Sequence, residues 1–213
     1  MDNLLTTPVT GKGQNMQEDF LDLIKRTRST RRFKQDVRIE NNVLMKLVSV
    51  ASYCPSAMNK QPMKYIISNS DEMNRKIFEN LIWAPYITDW AGPEPGQRPA
   101  AYLIMVLDTD IAEKAEIDSG IQAQSILLCA QSMGISGCML EKINKQELSK
   151  VLELPERYKI QLVIALGVRD EEIVIDPVKD ESDGGHGIKF YHDEAGRHHV
   201  PKRKAEELVL TIR

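Results

Sequence analysis

Phe20, Leu21, Leu23 and Ile24 recur at helical spacing among Glu18, Asp19 and Lys25, acids ahead of bases as a helix dipole favours, and predict a first helix over 17–27. Val43, Leu44, Leu47, Val48, Val50 and Ala51 crowd 41–52 too densely for a surface helix, so a second, mostly buried helix is expected there. A loop of small and polar residues lies between Pro55 and Pro62. Tyr65-Ile66-Ile67 then reads as a short strand and 71–82 as a helix. Pro85, Pro93, Pro95 and Pro99, with Gly92 and Gly96, cannot continue a helix and make 84–99 an irregular excursion. The unbroken apolar run 102–107 marks a strand covered on both faces, central in its sheet. Ile117, Ile121, Ile126, Leu127, Leu128, Ala130 and Met133 build a helix that is apolar nearly all round and stops at Gly134, as suits a core or a subunit interface. Asn144 with Glu147 three residues on opens another helix that ends before Pro155. A further buried strand follows over 160–168, then a loop over 180–187 and a hairpin over 188–200 turning at Asp193-Glu194-Ala195-Gly196.

Composition narrows the class. The 213 residues are 42% hydrophobic and 28% charged, as in an ordinary globular chain, and are expected to form one domain over 17–213 behind a flexible N-terminal tail, 1–16. That tail has no basic start and apolar run of signal-peptide length. With 28 basic against 31 acidic residues, the net charge of −3 draws no polyanion in bulk. Cys54, Cys129 and Cys138 cannot all pair within the chain, which suggests reduced thiols and a cytoplasmic address. No window approaches the roughly 18 consecutive apolar residues of a membrane helix, so no membrane partner is expected.

Two basic clusters stand out. Six bases fall within 25–34 with no acid among them, either an anion site built from forked arginine donors or a solvated helix end. Pro201-Lys202-Arg203-Lys204 is the second; alone it would pass as a localisation or RNA-binding tail, but with the first it can converge on one phosphate. In the loop 54–62, Ser56 and Asn59 suit the donor and acceptor edge of a heteroaromatic ring, although such a composition is also a common turn. Gly134-Ile135-Ser136-Gly137 and Gly184-Gly185-His186-Gly187 lack the strand before and helix after that a dinucleotide turn requires. His192, His198 and His199 can approach each other across the hairpin, which is expected to be exposed, but no cysteine or carboxylate is placed to complete a tetrahedral site, and no metal is expected.

Taken in order, these segments resemble the FMN-dependent nitroreductase family over 17–213. Thr27-Arg28-Ser29-Thr30-Arg31-Arg32-Phe33 fits the family's Arg-Arg-Ser-x-Arg-x-Phe motif at all but the first place. Pro55-Ser56-Ala57-Met58-Asn59-Lys60-Gln61-Pro62 is similar to its Pro-Ser-x-x-Asn-x-Gln-Pro loop, 118–139 to its central helix and glycine-rich turn, and 201–204 to its C-terminal basic motif. The resemblance implies that Arg28, Ser29 and Arg31 contact FMN, with Lys202 and Arg203 reaching its phosphate. Pro55, Ser56, Ala57 and Asn59 would come from the other subunit of a homodimer to lie along the isoalloxazine, and Glu141, within 139–142, would pass the flavin N5 edge. Thr27, Met63 and Lys142 depart from the common Arg, Trp and Gly.

The implied fold is α+β, a central, mostly antiparallel sheet flanked by helices in an intertwined homodimer with two interfacial FMN sites. The implied reaction is ping-pong: NADH or NADPH delivers hydride to flavin N5, and a nitroaromatic, quinone or similar small-molecule acceptor takes the electrons. The flavin carries that chemistry, so no catalytic side chain is expected. Arg31 would stabilise the reduced ring. Trp83, Tyr86 and Trp90 around 84–99 would form either an acceptor platform or plain core packing. Two alternatives stay open: another flavin chemistry such as reductive dehalogenation or flavin breakdown, and a nucleic-acid-binding protein using both clusters, against which the net charge weighs.

Overall fold

The computed structural model describes residues 11–87, 90–180, 182 and 185–212, with the side chains of 11–18 outside that description. Its centre is a five-stranded antiparallel sheet in the order β2 (Met63–Ser68), β3 (Ala101–Asp108) and β5 (Tyr158–Arg169), with β1 (Phe33–Lys34) and β4 (Ser136–Leu140) both on the far edge of β5. The twelve residues of β5 reach past two partners: β4 pairs along 163–167 and β1 along 168–169. Every residue of β3 is buried, as its unbroken apolar run predicts.

Alternation along β3 assigns the two faces. Leu103, Met105 and Leu107 face α2 (Asn41–Ala51) and α4 (Glu116–Ser132), while Tyr102, Ile104 and Val106 face α3 (Asp71–Phe78) and α5 (Lys145–Val151). A second sheet, β6 (Ile173–Pro177), β8 (His198–Lys202) and β7 (Tyr191–His192), has β8 in the middle, parallel to β6 and antiparallel to β7. α1 (Gly11–Arg26) packs near α4, and α6 (Ala205–Leu208) follows β8. None of the described helices is long and apolar enough to cross a membrane.

Several elements differ from the sequence pattern for local reasons. α1 begins at Gly11, ahead of residue 17; the rest of the expected tail, 1–10, lies outside the described residues. α3 stops at Phe78 because the Asn80 amide takes the Lys76 carbonyl at 2.9 Å and Ile82 N–H turns away to Lys142 O. The glycine-rich segment after α4 is a strand, not only a turn. A Cβ on Gly137 would sit 2.5 Å from Ala165 O, so only glycine lets β4 approach β5 this closely. α4 buries Asp118, Ser119 and Gln122 with its apolar residues and leaves Ile117 78% exposed, so its apolar surface is not all consumed within one chain.

Candidate functional site

The arginine-rich segment leaves α1 and immediately caps it. Thr27 Oγ1 donates to Leu23 O at 2.7 Å, and the Arg28 guanidinium folds back onto Thr27 O and Ile24 O at 2.7 and 3.0 Å, using a cation to satisfy carbonyls at a helix C-terminus. The chain then runs beside β4, where Ser29 bridges Gly137 and Thr30 N–H donates to Gly137 O at 2.9 Å. The N–H groups of Arg31 and Arg32 both donate to Glu171 Oε1. Burial pushes the Glu171 carboxyl above its usual range, against the pull of those two N–H groups.

Arg31 lies between the two sheets. Its guanidinium sits 4.5 Å from the centre of the Phe190 ring, and its Nη1 is 2.9 Å from His198 Nε2. His198, expected on an exposed hairpin, is 1% exposed. Burial first and Arg31 second hold its pKa down to about 3, so the imidazole is neutral. An arginine only donates, so His198 accepts at Nε2 and carries its proton on Nδ1, which is buried without a hydrogen-bond partner.

These residues border a cavity of about 390 Å³, within the range of small-molecule sites. Arg28, Ser29, Arg31 and Lys202 supply donors, Leu127, Met139, Phe190 and Val200 supply apolar wall, and among the described residues no carboxylate lines it. The two basic clusters, about 170 positions apart in sequence, thus meet at one place. Nothing in the lining resembles an activated nucleophile: Cys138 behind it is buried, and burial raises its thiol pKa. The arrangement suits holding an anionic ligand with a flat apolar body, and the residues fit a flavin mononucleotide by that chemistry.

The other expected contacts lie elsewhere. Arg203 does not line the cavity; its Nη1 is 3.5 Å from Glu207 Oε2 on α6. Glu141 is exposed and borders a neighbouring cavity of about 560 Å³ that shares Met139 as a wall. Pro55, Ser56, Ala57 and Asn59 belong to a loop that does not reach the Arg31 cavity. Asp118 of α4 anchors it, accepting from Ser56 Oγ–H and from Ala57 N–H at 3.2 Å, while Ser56 Oγ accepts from Gln61 N–H at 2.9 Å. Met58, Asn59 and Gln61 all have left-handed backbone, an uncommon conformation that the anchor holds in place.

The excursion 84–99 walls the site from outside. Tyr86 packs on Phe190 at 5.1 Å and Trp90 meets His192 edge-on at 5.9 Å, with Thr88 and Asp89 outside the described residues. Trp83 is 4% exposed against Phe78 and belongs to the core, so it is no acceptor platform. Sequence reasoning missed Glu171, Phe190 and Asp118 as parts of the site. Only Asp118 left a signal, an acid inside an apolar helix.

The family model for the nitroreductase family matches residues 24–168. A Caenorhabditis elegans protein named iodotyrosine dehalogenase 1 homolog is 27% identical over 189 residues, covering 75% of this chain and 58% of its own length. The chain therefore spans less than two thirds of that relative. Among solved structures, a nitroreductase-like protein from Streptococcus mutans aligns with a TM-score of 0.68 at 15% identity, covering 93% of this chain and all of that one. An FMN-dependent nitroreductase from Clostridium difficile R20291 aligns at 0.59 and 21%, covering 76% of this chain and 93% of its own. At these identities the structures establish a shared fold.

Proposed function

The chain belongs to the nitroreductase family, and from that premise we propose that it is an FMN-dependent oxidoreductase using NADH or NADPH. The observation that carries the reading is the convergence of Arg28, Ser29, Arg31 and Lys202 on one cavity with an apolar wall and, among the described residues, no carboxylate. When bound, FMN supplies the redox chemistry, passing electrons from NAD(P)H to a nitroaromatic, quinone or similar electron-poor acceptor in a ping-pong cycle. Lys202 and Arg28 hold the phosphate end, and Arg203 contributes when its exposed ion pair with Glu207 opens. Arg31, fixed by Glu171 and His198, supplies positive charge to the ring end. Phe190 and Met139 exclude water from the ring's faces. Purification of a yellow protein that releases FMN on denaturation is the expected result; a colourless protein that takes up no FMN sinks the reading.

We further propose a homodimer in which Pro55, Ser56, Ala57 and Asn59 complete the partner's flavin site. Tyr53 at 89%, Met58 at 88% and Ile117 at 78% exposure leave an apolar surface around that loop and α4. Leu210 and Ile212, 99% and 91% exposed beyond α6, are suited to lie across a second copy. The three cysteines are free, which supports a reducing, cytoplasmic setting.

Reductive dehalogenation is a second reading, favoured by the likeness to a protein named iodotyrosine dehalogenase 1 homolog. Parallel assays of iodotyrosine and a nitroaromatic with the same reduced protein separate the two. Nucleic-acid binding has less support, because the two basic clusters supply donors to one cavity.

A further inference from the structure

On the opposite face of the central sheet, between α3 and the end of the 84–99 excursion, lies a separate cavity of about 160 Å³. Arg38, Arg75 and Arg98 border it, against a single acid among the described residues, Asp71. Asp71 is occupied, with Arg38 Nη2 at 3.1 Å. Tyr102, 1% exposed on β3, also lines the cavity, and its hydroxyl is buried without a hydrogen-bond partner. So is Nε of Arg98, whose guanidinium is held 4.1 Å from the Phe78 ring centre.

The polar groups already satisfied are as informative as those that are not. Asn74 accepts from Ser68 Oγ–H at 2.8 Å and donates to Ala100 O at 2.9 Å, so its amide is spent inside the fold. The Gln35 carbonyl oxygen accepts from the N–H groups of Gly96 and Arg98, at 2.8 and 3.3 Å. Tyr102 O–H and Arg98 Nε–H are both donors left over, on two residues that line the same cavity. A buried donor without an acceptor is costly, and two beside a surplus of arginine call for an anionic acceptor rather than a cation or a neutral donor.

We infer that this cavity is a second ligand site, for a phosphate group, held by Arg98, Tyr102 and Arg75. Three arginines against one carboxylate leave two positive charges, matching a phosphate dianion. The volume equals about five waters at roughly 30 Å³ each, enough for a tetrahedral oxyanion and too small for a nucleotide or a flavin. All the residues named here come from one chain and lie outside the Arg31 cavity. Its occupant would tie β3 and α3 to the 96–98 stretch that Gln35 already holds beside β1.

The test is thermal unfolding and titration calorimetry of the purified full chain with inorganic phosphate, at ionic strength kept constant with sodium chloride. A saturable rise in stability with phosphate is expected, since a ligand of the native state stabilises by mass action. Tyr102→Phe, which keeps the ring in the core, should weaken phosphate about ten- to a hundredfold, and Arg98→Gln by a similar factor. Saturating FMN, which fills the other cavity at its Lys202 end, should leave phosphate affinity unchanged. If Arg98→Gln does not fold, Tyr102→Phe alone carries the test. Glycerol 3-phosphate binding as tightly as phosphate identifies a phosphate monoester as the occupant; binding of phosphate alone identifies the free anion. No saturable effect overturns the site, as does an effect that saturating FMN abolishes and Tyr102→Phe leaves intact. Malonate binding in preference to phosphate overturns the ligand class.

Discussion

Arg31 Nη1 lies 2.9 Å from His198 Nε2, so a permanently charged guanidinium fixes the tautomer of an imidazole that burial, with Arg31 second, keeps neutral. The pair ties the arginine-rich segment to β8, which ends at Lys202 of the second basic cluster. Charging His198 would remove the acceptor and set two cations face to face.

Stability should therefore fall in acid through His198. Its pKa is held at about 3 in the folded chain, by burial and then by Arg31, against about 6.5 in the unfolded chain. Below pH 6.5 the unfolded state takes up a proton that the native state refuses, so this contribution is complete above pH 6.5 and is lost progressively down to about pH 3. Denaturant titrations across that window should show His198→Gln losing less stability on acidification than the parent. Equal slopes would mean that His198 is not held neutral by the fold.

Lys202→Ala and Arg31→Ala should weaken FMN by different routes. Lys202 lines the cavity as a point charge suited to phosphate, and its loss removes a charge-assisted contact of roughly 1.5–3 kcal/mol, about ten- to a hundredfold in affinity. Riboflavin, without a phosphate, should bind the Lys202 variant as it binds the parent. Arg31→Ala should weaken both ligands and lower the flavin midpoint potential, because a cation favours the anionic reduced ring. Spectroscopic titrations with both flavins and a potentiometric titration check this division of roles.

The parts of this arrangement legible in the sequence are those with local signatures. The apolar run of β3, the cap at Asn144 and the turn at Asp193–Gly196 depend on near neighbours, and the structure bears them out. What escaped depends on distant partners. Glu171, in an Arg-Asp-Glu-Glu run, looks like solvated surface, and only the fold brings it under the N–H groups of Arg31 and Arg32, 140 and 139 positions away. His198 looked exposed because a hairpin's inner face is undefined until Phe190 and Arg31 cover it. β4 read as a turn because two glycines in four residues are a turn signal, whereas Gly137 is required by the closeness of β5.

Gly137→Ala should accordingly cost both stability and cofactor. The added methyl would meet Ala165 O at 2.5 Å and Leu127 Cδ2 at 2.7 Å, contacts that require β4 to move. Overpacking of this kind costs typically about 1–3 kcal/mol. Because Gly137 O also accepts from Thr30 N–H, the displacement should carry Ser29 and Arg31 with it and lower FMN affinity. Gly134→Ala, at a left-handed turn with open space around it, is the control: it should lose stability through backbone strain and keep FMN. Chemical denaturation and flavin titration on the two variants distinguish the cases.

The composite site makes a prediction that no single-chain site can meet. Lys202 lines the Arg31 cavity, while Asp118 holds the Ser56–Asn59 loop away from that cavity in the same chain. If that loop completes the partner's flavin site, Lys202→Ala and Asp118→Ala damage opposite halves of each site. Either homodimer then has two defective sites. When the variants are unfolded together and refolded as a mixture, each heterodimer gathers both defects in one site and leaves the other intact, so about one site in four is restored at random pairing. Flavin binding and reductase activity should recover to that level in the mixture and stay low in each variant refolded alone. No recovery, with heterodimers demonstrated by tagged subunits, would place both halves of the site in one chain.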